Sequence, residues 1–122
     1  MDVVCLSAED CRLLSARFAE HGNSHRRMAG ALKATGQIEA LERFGALRRL
    51  EARFEIDLGS LCHRFELRDH PDTHPLERMV LGYVATWKAR PGGTGELWVH
   101  LDRVREVREL IEEGERVGEP GA

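Results

Sequence analysis

The chain has 122 residues, 18 basic and 21 acidic, for a formal net charge of -3. A domain of this length buries roughly 65% of its unfolded surface without help from crosslinks or metals, and the slightly acidic balance argues against a dedicated nucleic-acid binder, which carries a net basic field. Three cysteines without tight spacing, no basic and apolar leader and no long apolar run argue against a disulfide framework, a signal peptide and a membrane span, so a cytoplasmic protein with reduced thiols is expected.

Taken along the chain, Val3 to Leu6 is a short apolar start, and Ser7-Ala8-Glu9-Asp10 is a helix entry with Ser7 as N-cap and Asp10 near N3. Leu13, Leu14, Ala16, Phe18 and Ala19 give that helix its apolar positions, and His21-Gly22 closes it. Cys11, on the same helix, reads as a small buried apolar side chain. A second helix, capped by Asn23 or Ser24, runs through Met28, Ala31 and Leu32 to Gly36. A helix–turn–helix DNA reader would use Arg26 and Arg27 for phosphate and base contacts. The turn Glu20-His21-Gly22-Asn23 lacks the apolar anchor after glycine that such a reader needs, so the hairpin reads as scaffold.

From Gln37 the apolar positions Leu41, Phe44, Leu47, Leu50, Phe54, Leu58, Leu61 and Phe65 recur at spacings of 3 and 4, close to a coiled-coil seam. An unbroken helix over 37–68 would be about 48 Å long. A globule of this size is only about 35 Å across, taken from its expected radius of gyration. Two outcomes are therefore open: a break near Asp57-Leu58-Gly59-Ser60, or a projecting helix covered by another chain. Pro71 and Pro75 stop any helix that reaches Arg68, and Thr73 or His74 caps the next, with Pro75 at N1. Leu76, Met79, Val80, Tyr83, Val84 and Trp87 make this the expected central, most buried helix, ended by Pro91-Gly92-Gly93. Residues 96–100 read either as helix or as a strand that would pair with Val3 to Leu6. A charged helix then runs to about Gly118, and residues 96–122 carry four basic and eight acidic groups, a surface suited to a basic partner if one exists.

Glycine-rich phosphate loops, a Walker lysine, a nucleophile elbow, H-E-x-x-H and C-x-x-C are all absent. Chemistry would have to come from residues 62–75, where Cys62, His63, His70, Asp72 and His74 offer zinc-type ligands. Between Pro71 and Pro75 these histidines also read as loop and cap residues, or as groups that titrate near neutrality beside Asp69 and Asp72. Over seven residues, Arg68-Asp69-His70-Pro71-Asp72-Thr73-His74, the chain resembles the arginine-polar-x4-histidine motif of HEPN-type ribonucleases, small all-α domains. That resemblance implies Arg68 as phosphate binder and His74 as acid–base group, without a metal.

These readings converge on an all-α, single-domain bundle of five or six helices over residues 1–118, with one long amphipathic helix. A two-stranded ribbon of residues 3–6 with 96–100 is its one β alternative, and 119–122 form a flexible tail. The expected function is a small protein–protein interaction module, an adaptor, regulator or inhibitor, working without a cofactor on a protein partner or a second copy of itself. Its contact residues would be Leu47, Leu50, Phe54, Leu58, Leu61 and Phe65 on the 37–68 helix, and Trp98, which lies off the helical stripe. A ribonuclease using Arg68 and His74 and a metal protein using the histidine and cysteine set are the alternatives; nucleic acid and membrane are not expected partners.

Overall fold

Ser7 ends one element and starts another: it closes a strand, β1 (Val3–Ser7), and its side chain accepts the amide of Asp10 at 3.1 Å to cap a helix, α1 (Ala8–Glu20). Asp10 accepts the Ser7 amide in return, completing a capping box that satisfies two amides of the helix start. The computed structural model describes residues 2–118; the proposed tail at 119–122 lies outside them. The chain continues as α2 (His25–Ala34), α3 (Ile38–Phe54), α4 (Leu58–Glu66), α5 (Pro75–Val84), β2 (Ala85–Ala89), β3 (Gly95–His100) and α6 (Leu101–Gly118).

The expectation of an all-α bundle is overturned. Among the described residues six helices pack with a three-stranded antiparallel sheet of order β1-β3-β2, a mixed α and β fold, though largely helical. Val3 pairs with His100 and Leu6 with Leu97, while the third strand pairs Ala85 with Val99 and Trp87 with Leu97. The apolar spacing predicts that the helix starting at Pro75 runs on through residues 85–89. Instead the backbone turns extended at Ala85 (φ -141°, ψ 142°), and Ala85 and Trp87 share the face of Leu97 and Val99 while Thr86 and Lys88 take the other. The Tyr83 and Trp87 spacing that looks helical is thus split between two elements. Trp87 lies over the backbone of Gly95, where any Cβ would collide with the indole. Nor is α5 the most buried helix: Leu81 and Val84 are buried, but Leu76, Met79 and Tyr83 face outward.

The 37–68 helix is broken. Glu55 takes the left-handed conformation (φ 52°) after α3, and the Asp57 carboxylate accepts the Ser60 amide at 3.0 Å to cap α4. With that break the seam turns into the core. Phe44, Leu47, Leu58 and Phe65 join Leu6, Leu14, Leu97 and Val99 in one cluster between sheet and helices, with Leu41, Leu50, Phe54 and Leu61 packed at its edge. Each fully buried leucine contributes about 1.5–3 kcal/mol through apolar burial. Gly59 is needed where α4 crosses α1: a Cβ there would come within 3.0 Å of the Leu14 carbonyl oxygen and would strike the Arg17 guanidinium.

Candidate functional site

The structure disperses the residues of 62–75 rather than gathering them. Cys62 points into the core. His63 lies against Phe18, ring centroids 5.2 Å apart, with Nδ1 3.5 Å from the Ser15 hydroxyl, which donates to Glu66 at 2.9 Å. His70 Nδ1 accepts the Asp72 amide at 3.1 Å, and His74 Nδ1 accepts the Leu76 amide at 3.0 Å as the N-cap of α5. Arg68 folds back on its own helix end, donating to the Phe65 carbonyl at 2.7 Å with its guanidinium 4.0 Å from the Phe65 ring centre. Arg68 and His74 are therefore each held by local partners, and the five zinc-type ligands do not converge. Among the described residues no three His, Cys, Asp or Glu side chains come together as a metal cluster.

The densest polar cluster lies elsewhere. Arg17, on α1, is the largest fully buried side chain in the protein. Its guanidinium grips Glu51 of α3 with two nitrogens and donates to Asp57 at 2.9 Å, and Nε donates to the Asn23 side chain at 3.0 Å. Asn23 reaches Asp57 at 2.9 Å, His25 lies 3.2 Å from Glu51, and Glu51 accepts the Leu58 amide at 2.8 Å. Asn23 is itself left-handed (φ 63°), a conformation asparagine tolerates better than most residues. Burial alone would weaken the hold of Arg17 on its proton, but Glu51 and Asp57 outweigh it and raise the group above its ordinary value. Burial likewise pushes Asp57 up, yet the Ser60 amide, Asn23 and Arg17 bring it below the usual carboxylate value. Asp10 behaves in the same way: burial is outweighed by Arg43, whose Nε and a terminal nitrogen bind the carboxylate at 2.7 and 2.6 Å, and by Ser7. Every buried side-chain polar atom among the described residues has a partner. The network ties α1, α2, α3 and the start of α4 together.

The complementary feature is an apolar groove between α4, α5 and α6, with a volume of about 320 Å³ and walls formed by Leu61, Val80, Val84, Val107 and Ile111. Ile111 in its wall is more than half exposed, as are Leu76 and Met79 on α5 and Leu110 on α6, which do not line it. On the exposed side of the same helix pair Tyr83 donates to Glu106 at 2.6 Å, and Arg103 donates to the Tyr83 carbonyl at 3.1 Å, linking the first half of α6 to α5. From Arg108 to Arg116 every side chain of α6 is exposed, although Arg108 still donates to the Glu55 carbonyl at 3.1 Å and Ile111 lines the groove. No protein-family model, curated protein or solved structure matches this chain.

Of the expected contact residues, Leu47, Leu58 and Phe65 are buried and Leu50, Phe54 and Leu61 pack against the core, so only Leu61 lines the groove. Trp98 sits on the outer face of the sheet, partly covered, with Lys88 Nζ 4.9 Å from its ring centre and its Nε1 donating to Glu96 at 3.0 Å. The groove residues of α5 and α6 are visible in the sequence as apolar positions, but the apolar content of residues 76–87 predicts a core helix, which hides their exposure. Among the described residues no helix is long and apolar enough to cross a membrane.

Proposed function

We propose that this protein is a small protein–protein interaction module of the cytoplasm that self-associates through α5 and α6, not through residues 37–68. The carrying observation is the α4–α5–α6 groove with the exposed Ile111 in its wall, together with the uncovered apolar side chains of Leu76, Met79 and Leu110 on the same two helices. Apolar side chains gathered on one face of a small domain mark a contact surface, whereas scattered ones need no explanation.

Charge favours a second copy of the chain as the occupant. The first half of α6 has Arg103, Arg105 and Arg108 against Asp102 and Glu106, a net of +1. Its second half has Glu109, Glu112, Glu113 and Glu115 against Arg116, a net of -3. Two α6 helices laid antiparallel place the acidic half of each beside the basic half of the other, as a two-fold dimer with self-complementary patches requires. Leu110 and Ile111 of one chain then reach the groove of its partner. A soluble regulator or adaptor is the role such a module fills.

Light scattering on the double variant Leu110→Glu/Ile111→Glu tests this reading. The wild type is expected as a dimer and the variant as a monomer, with unchanged helicity by circular dichroism. Equal masses for the two proteins would refute α6 as the contact.

A further inference from the structure

Cys11 on α1 and Cys62 on α4 are the two buried cysteines; Cys5, the third, is exposed on the outer face of the sheet. They approach across the helix crossing that Gly59 keeps close, where a Cβ would already meet the Leu14 carbonyl at 3.0 Å. Both line one cavity of about 300 Å³, distinct from the α4–α5–α6 groove, whose walls include Arg12, Arg68 and Trp87. Arg12 and Trp87 are exposed, so the cavity leads from solvent to the thiols, and Cys11 (8% exposed) is more accessible than Cys62 (1%).

From this placement we infer that Cys11 and Cys62 form an oxidisable dithiol site whose substrate is a small hydroperoxide. Cys11 attacks the nearer peroxide oxygen: the O–O bond breaks, an S–O bond forms, and the thiol proton leaves with the departing oxygen as water or an alcohol. Cys62 then attacks the sulfenic sulfur, forming an S–S bond and breaking the S–O bond, and its proton leaves with the hydroxyl as water. Two thiols have lost two electrons to the peroxide, and the disulfide ties α1 to α4. The proximity of the two thiols holds Cys11 below an ordinary thiol, against burial, Asp10 and Glu66, while the same proximity and burial push Cys62 up. This fits Cys11 as the attacking sulfur, since the thiolate is the nucleophile; the cavity lining places Arg12, Arg68 and Glu66 around it. Cytoplasmic disulfides, where they occur, are usually transient and redox-sensing.

The experiment treats the Cys5→Ser protein with about ten equivalents of hydrogen peroxide and follows intact mass and thiol alkylation. A loss of about 2 Da, reversed by dithiothreitol, with both thiols protected from alkylation, is expected. A gain of about 16 or 32 Da, which marks oxygenated sulfur without a bridge, would overturn the assignment. So would two thiols still open to alkylation after a peroxide dose that oxidises Cys5 in the wild type. In Cys62→Ser the reaction should stop at a sulfenic acid on Cys11 that dimedone traps, and an absence of that adduct contradicts the order of attack. A non-reducing digest of the oxidised wild type gives a readout that depends on no variant: it should contain the peptides of Cys11 and Cys62 linked, and linkage only through Cys5 would refute the pair.

Discussion

The cluster around Arg17 and the face formed by α5 and α6 invert the usual distribution of polar and apolar groups. At the first, a guanidinium and a carboxylate are buried, yet every buried polar atom is paired. At the second, leucine, isoleucine and methionine side chains are exposed with no cover. Buried charges persist only where hydrogen bonds replace the lost water, and that takes several elements held in place at once. Uncovered apolar side chains lower the free energy of a fold very little, but they contribute fully to association once a partner removes them from water. The first region therefore belongs to folding and the second to binding.

If this division holds, Arg17→Ala has the largest effect. It strands Glu51, and a broken buried pair costs about 3–5 kcal/mol, to be measured by urea unfolding. A change below about 0.5 kcal/mol, the size of an ordinary surface substitution, would remove the cluster from the stability of the fold. The next effect is acid sensitivity. Asp10 and Asp57 both lie below the usual carboxylate value when folded, because Arg43 and Ser7, and Ser60, Asn23 and Arg17, outweigh their burial. Such groups contribute stability that is fully present above their unfolded value, about pH 4, and is lost as pH falls through the folded values. Unfolding free energy should be flat with respect to these two groups above about pH 5 and should fall below about pH 4. Replacing Asp10 and Asp57 with Asn should flatten that acid limb, and an unchanged limb would assign it to other groups. Smallest is Leu110→Ala: with the side chain 61% exposed, the stability of the monomer should move by less than about 0.5 kcal/mol. A loss of about 2 kcal/mol or more, as for a core leucine, would mean that Leu110 is covered within one chain.

How much of this was legible in the sequence follows from the range of the interactions. The capping box of Ser7 and Asp10, the break near Asp57-Leu58-Gly59 and the start of α5 at Pro75 are set by residues three or four apart, and local spacing reveals them. The pairing of residues 3–6 with 96–100 is one of two readings the sequence leaves open, because Trp98 and Val99 fall off the helical stripe, but the third strand is not readable there. Trp87 continues the helical spacing of Tyr83, and only its pairing with Leu97 across the hairpin makes the segment extended. The polar cluster was invisible for the same reason: Glu51 and Asp57 lie 34 and 40 positions from Arg17. A hint was available in Gly22-Asn23 after α1, a pair suited to left-handed backbone, which places a polar side chain over the helix end. In the histidine-rich stretch the reading as loop and cap residues is also a local one and holds: His74 caps α5 and His70 accepts the Asp72 amide in the turn before it, while the metal-ligand set it also offers does not converge.

The most direct test of the division between a folding centre and a binding face is the mass of the wild-type chain in solution by sedimentation equilibrium. Self-association through α5 and α6 requires twice the chain mass at about 100 μM, falling towards one chain on dilution and on raising salt, since part of the contact is ionic. A single-chain mass maintained up to about 1 mM, where even a weak dimer would form, would contradict it.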